Sequence, residues 1–156
     1  MSAGTLIVAV ATTGLMAGLL AGFSVSVVPG LAKVDDRAFI DAWQRVNTAI
    51  KNPLFGLIFL GALVSGAVAA WRYADRADVF AWATAGLTGY AVTFVVTFVG
   101  NIPLNNRLDR AGPAAQLADP SGVRRAFERP WLIWHGLRTV ACVVAFVCYC
   151  LALAAV

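Results

Sequence analysis

The residues best equipped for chemistry stand close together near the start of the last apolar stretch: Trp131, Trp134, His135 and Arg138. On a helix, steps of three, one and three residues put all four on one face. His135 is the single histidine of the chain. An imidazole exchanges protons near neutral pH and suits a general base; the plain alternative is an interfacial histidine bonded to lipid or to a loop. Arg138 falls inside the predicted helix, where a charge is costly unless partnered. Asn101, Asn105, Asp41 or the carbonyls freed by Pro103 are its expected partners. Trp131 and Trp134 read either as walls for a flat ring or as part of an interfacial aromatic belt with Trp43 and Trp71.

Two further polar groups converge on the same end of the chain's apolar segments. One is the stretch with Asp41, Gln44 and Asn47; the other is the corner Asn101-Ile102-Pro103-Leu104-Asn105-Asn106-Arg107. Amides such as Asn47, Asn101 and Asn105 can line an apolar pocket and bind ketone or phenol oxygens. Equally, Asn101 can cap a helix that Pro103 stops. One imidazole with no second nitrogen or thiolate nearby makes neither a zinc nor a haem site, so no metal and no cofactor is expected. Cys142, Cys148 and Cys150 all lie within the last apolar run, where thiols act as small hydrophobes rather than as a disulfide framework.

The elements that position these residues are membrane spans. Of the 156 residues, 60% are hydrophobic and 13% are charged, against roughly 25% charged in an ordinary soluble domain. The apolar runs are long enough to cross a hydrocarbon core about 30 Å thick. Spans are predicted at about 5–28, 54–71, 79–100 and 131–155, with an amphipathic interfacial helix at about 35–51. The fold class is therefore an all-α membrane protein, a four-helix bundle forming a single integral membrane domain over residues 1–156. Pro29 with Gly30 is expected to end the first span, Pro103 the third, and Pro130 to start the fourth. No lysine or arginine precedes Lys33, so the first run is read as retained helix rather than as a secretion signal.

Gly14, Gly18 and Gly22 recur every four residues, a small-residue stripe suited to helix contacts within the chain or between chains of a homo-oligomer. Gly61, Ser65 and Ala69 form a second such face. Lys33, Arg37, Arg45, Lys51, Arg107, Arg110, Arg124, Arg125 and Arg129 crowd the first and third loops, whereas the second holds Arg72 and Arg76. The positive-inside rule then places loops one and three in the cytoplasm and both termini outside. With the arginines spread as topology signals and no basic patch interleaved with aromatics, nucleic acid is not an expected partner. Membrane lipids are.

Taken together, several short stretches resemble the anthrone oxygenase-like family of small four-helix membrane proteins. They are Phe23 to Pro29 leading to Leu31, Gln44-Arg45-Val46-Asn47, Asn52-Pro53-Leu54-Phe55, Asn101-Ile102-Pro103-Leu104-Asn105 with Leu108, and Trp131-Leu132-Ile133-Trp134 with Arg138-Thr139. In one place the chain departs from the family pattern, which follows the second tryptophan with asparagine and then often histidine. Here His135 comes directly after Trp134, a shift of one position that turns a helical side chain by about 100°. The resemblance implies oxidation of a tricyclic anthrone to an anthraquinone by O2. In that role His135 would be the base and Arg138 with Asn101 or Asn105 the oxyanion partner. Trp131 and Trp134 would form the slot, with Asn47 a further match. The second reading, a non-catalytic membrane module that binds a lipid, a small ligand or a partner subunit, stays open on the sequence.

Overall fold

The computed structural model describes residues 3–156, and every regular element among them is helical. Four helices are long and apolar enough to cross a bilayer: α1 (Gly4–Leu31), α3 (Pro53–Arg72), α4 (Ala77–Arg110) and α5 (Pro120–Ala154). Between the first two lies the shorter amphipathic α2 (Asp36–Ala49). Large apolar side chains such as Leu15, Leu57, Val95 and Ile133 are exposed along the outside, as expected where lipid rather than water is the solvent.

Three prolines behave differently from their sequence reading. Pro29 and Pro103 do not end helices, and Pro130 lies inside α5, which starts at Pro120. In both α1 and α4 a five-residue π turn comes just before the proline: Phe23–Val27 ahead of Pro29, and Thr97–Asn101 ahead of Pro103. Proline removes a backbone donor and pushes on the carbonyl one turn back. A wider π turn absorbs both defects without breaking the helix. The stretch expected to be a corner at Asn101–Arg107 is therefore helical, and the expected long loop shrinks to a short link holding the turn Ala114–Gln116. Asp119 caps the true start of α5, its Oδ1 accepting from Gly122 N at 2.9 Å.

The α2 helix was expected to lie with its apolar face in the lipid. Instead Phe39, Ile40 and Trp43 are buried against Leu108 of α4 and Phe127 and Trp131 of α5. Asp35 caps its first turn, accepting from Arg37 N and Ala38 N. Its outer face is tied down by side chains that reach backbone oxygens. Gln44 Nε2 donates to Leu108 O and Gly112 O, and the Arg37 guanidinium donates to Ala114 O and Leu117 O. From α5, Arg124 donates to Ala32 O and Val34 O, pairs with Asp36 and Glu128, and covers the Phe39 ring. These contacts clamp α2 across one end of the bundle.

Close packing at the opposite end depends on small residues around Tyr149, which is fully buried among Leu6, Ala69, Tyr73 and Ala83. A methyl group added at Gly86 would come within 2.9 Å of its ring, and one at Gly66 would collide with its hydroxyl. The second small-residue face packs on α1, where Ser65 and Thr12 hydroxyls meet at 3.2 Å. In the glycine stripe of α1 only Gly14 is occupied, by Phe146; Gly18 and Gly22 face open space. Replacing Gly66 by Ala should lower stability by about 1–3 kcal/mol through overpacking. Adding Tyr149→Phe, which removes the colliding oxygen, should recover part of that loss. Thermal unfolding of the detergent-solubilised protein, followed by circular dichroism, checks both; additive losses would show that Gly66 and Tyr149 do not meet.

Candidate functional site

The site is built around Trp131, which α4 holds at two points. Asn101 Nδ2 donates to the Trp131 carbonyl at 3.3 Å, and the Trp131 indole N–H donates to Asn105 Oδ1 at 2.9 Å. Asn101 and Asn105 lie one turn apart, so the wide turn Thr97–Asn101 and the helix that continues past Pro103 carry both amides to the same partner. Trp43 of α2 packs against the indole at 4.4 Å between ring centroids, and His135 stacks on it at 4.6 Å with an interplanar angle of 16°.

Arg138 lies one turn beyond His135, its guanidinium 5.5 Å from the Trp131 ring. It donates from Nη1 to Thr97 Oγ1 at 3.4 Å and from Nε and Nη2 to His135 Nδ1 at 3.4 and 3.3 Å. A guanidinium can only donate, so Nδ1 must accept and the neutral imidazole carries its proton on Nε2. That proton points at Ser24 Oγ, 3.0 Å away, and Ser24 in turn donates to Leu20 O at 3.1 Å. The π turn of α1 thus sets the tautomer of a histidine on α5. Among the described residues no carboxylate pairs with Arg138; Asp41, one of its expected partners, is bound to Arg45 instead. Asn101 and Asn105 are engaged with Trp131 and do not pair with it.

Beside this assembly is a cavity of about 340 Å³, within the range of small-molecule sites. Its aromatic walls include Phe23, Trp43, Phe55, Phe59, Phe98 and Trp131, and its polar points include Asn47, Thr97, Asn101, Asn105 and Arg138. Lys51, with an exposed side chain, and Asn52 line it where α2 passes into α3. Two polar atoms of the wall are buried without a partner among the described residues: Asn101 Oδ1 and the Trp43 indole N–H. Asn47 Nδ2 is 3.4 Å from Asp109 Oδ1, and Asp109 also pairs with Lys51. No three His, Cys, Asp or Glu side chains gather as a metal-binding group among the described residues.

Of the candidates named from the sequence, Asn47, Asn101, Asn105, Trp131 and Arg138 meet at this cavity. His135 does not line it; it stands behind Trp131 and Arg138 with its acceptor nitrogen already occupied. Trp134 packs against Gly100, where an added Cβ would collide with the indole, and is not part of the wall. Ser24, Thr97 and Trp43 were not singled out for chemistry. A serine and a threonine inside apolar helices carry no sequence signal that distinguishes them from helix-packing residues.

The chain matches the anthrone oxygenase family over residues 43–148, about two thirds of its length. It belongs to that family. No curated protein and no solved structure matches it. The family match contains Trp43, Asn47, Asn101, Asn105, Trp131, His135 and Arg138, whereas α1, which supplies Ser24 and Phe23, lies outside it. The assembly is thus one Trp–His–Arg row on α5 braced by two amides of α4, with Ser24 of α1 bound to its histidine.

Substituting His135 by Phe keeps a ring for stacking but takes away the acceptor that Arg138 uses. The expected result is a loss of about 1–3 kcal/mol in stability, the cost of leaving a buried polar group unpaired. Ser24→Ala should cost less, since His135 retains Arg138. Thermal midpoints of the two variants in detergent check this order; an unchanged midpoint in His135→Phe would mean that the imidazole matters only as a packing ring.

Proposed function

We propose that the protein oxidises a flat, apolar aromatic ketone of the anthrone type with O2, and that Arg138 binds the ketone oxygen as it becomes an enolate. The observation behind this reading is an arginine at an aromatic-walled cavity inside the bundle with no carboxylate beside it among the described residues. Such a cation is strongly favoured to meet an oxyanion, and a preorganised donor is worth most where water is excluded. Trp43 and Trp131 supply faces for a planar ring. A bilayer-embedded cavity suits both an apolar substrate and O2.

The chemistry balances without a cofactor. Loss of a methylene proton gives an enolate whose negative charge spreads to the ketone oxygen, where Arg138 stabilises it. The electron-rich ring carbon gives one electron to O2, and the two radicals combine to form a C–O bond. Protonation gives a hydroperoxide; its O–O bond breaks as the remaining hydrogen on that carbon leaves as a proton, and water departs. One anthrone and one O2 become one anthraquinone and one water.

His135 acts through Arg138 in this scheme as a positioning residue, because its Nδ1 lone pair is held by the guanidinium. The methylene proton leaves to water at the Lys51 end of the cavity. By the positive-inside rule that end faces the cytoplasm. The same geometry also favours a second reading, a binding module without turnover, since among the described residues no histidine or carboxylate side chain lines the cavity to serve as a base.

Oxygen uptake by the detergent-solubilised protein supplied with anthrone separates the two. Uptake above the autoxidation background is expected, and Arg138→Gln should lower kcat/KM about 10²–10³-fold, the usual cost of losing an oxyanion donor. Arg138→Lys, which keeps the charge but not the fork of donors, should fall between. A folded parent protein that consumes no oxygen above background would leave the binding module as the reading.

A further inference from the structure

Asn101 is 1% exposed and lies on the cavity wall. Its Nδ2 donates to the Trp131 carbonyl, an atom that can only accept, so the orientation of the amide is set by that bond. Oδ1 is then left as an acceptor, and no group among the described residues donates to it. A buried acceptor without a donor is costly, and the cost is relieved when something that enters the cavity supplies an N–H or O–H. Thr97, which Arg138 contacts, stands one turn before Asn101 on α4. The wall of one cavity therefore contains both the donors of Arg138 and, at Asn101, a buried acceptor that lacks a donor among the described residues.

We infer that Asn101 is the specificity-determining residue of this cavity, selecting ring ketones that also carry a free aromatic hydroxyl, whose hydrogen Asn101 Oδ1 accepts. This rests on the reading that Arg138 holds the ketone oxygen of an anthrone-type ring. The hydroxyl has to be free in a specific sense. On the ring position next to the ketone, its hydrogen is already bonded to that ketone and is not available to Asn101. On a position farther out, it points away from the ring and can reach an outside acceptor. Preference for ligands that carry the group follows from the buried amide, because a hydroxyl that reaches Oδ1 supplies the donor it lacks, whereas a ligand without one leaves it unpaired.

The test uses product-like ligands that do not turn over. Anthraquinone, 2-hydroxyanthraquinone and 2-methoxyanthraquinone are titrated anaerobically into the detergent-solubilised protein at mildly acidic pH, where the hydroxyl keeps its proton. Binding is read from quenching of tryptophan fluorescence, to which the cavity residues Trp43 and Trp131 contribute. The parent should bind the hydroxy compound about tenfold or more tightly than the other two, and Asn101→Leu should bring that ratio close to one. A ratio near one in the parent, or a ratio that survives in Asn101→Leu, overturns the inference.

Because the ratio compares ligands on one protein sample, a partly misfolded variant does not distort it. If Asn101→Leu does not fold, the smaller Asn101→Ala supplies the second ratio, which should likewise fall close to one. An absence of oxygen uptake leaves this ratio readable, so the oxygenase reading can fail while the inference stands. If none of the three ligands binds, both fall.

Discussion

A guanidinium inside an apolar bundle has to be solvated by the protein itself, and much of the architecture near Arg138 does that. Three contacts surround it: the imidazole of His135, the hydroxyl of Thr97 and the face of Trp131. Each is held in turn, His135 by Ser24 of α1, Thr97 by the carbonyl of Thr93 in its own helix, and Trp131 by Asn101, Asn105 and Trp43 from α4 and α2. A carboxylate at the same place would neutralise the charge and occupy the fork of donors. The neutral partners seen here hold the cation at hydrogen bonds of 3.3–3.4 Å, long ones, and leave it able to attract an anion.

The two π turns are the backbone side of the same arrangement. Each lies just ahead of a proline in a helix that would otherwise break, and each delivers a side chain to the site: Ser24 from Phe23–Val27, Thr97 and Asn101 from Thr97–Asn101. A wide turn rotates the following residues relative to an ideal helix, so the proline and the polar residues beside it are two aspects of one deformation. Trp134 shows the opposite case. It shares a helix face with the site residues by spacing, yet Gly100 on α4 leaves room for its ring outside the cavity.

The α2 helix closes this end of the bundle as a protein-covered wall. Trp43 is part of the cavity, while Arg37, Gln44 and Arg124 bind backbone oxygens just past the end of α1, in the last turn of α4 and in the α4–α5 link. Arginines that count as topology signals in the sequence are thus also the clasps of the fold. The charge of Arg124 is shared between Asp36 and Glu128, which leaves Arg138 as the cation with no acidic partner at the cavity.

The amino-acid sequence by itself determined that the protein is all-helical with four helices able to cross a bilayer, because hydropathy and run length are local properties that lipid reads directly. It also marked the polar residues that are too costly to bury idly, Arg138 above all, and the family to which the chain belongs. It did not determine that helices run on through Pro29, Pro103 and Pro130: a π turn stands ahead of the first two, whereas α5 passes Pro130 as regular α-helix. Nor did it separate His135 from the cavity wall, or Trp134 from Trp131, because residues on one helix face are assigned different neighbours by the helices packed against them. The contact of Arg138 with His135 is local to α5, but the Thr97 partner of Arg138 and the Ser24 partner of His135 were decided by tertiary structure alone. Ser24, Thr97 and His135 lie far apart in sequence, and only the packing of α1 and α4 against α5 brings those hydroxyls within hydrogen-bond reach.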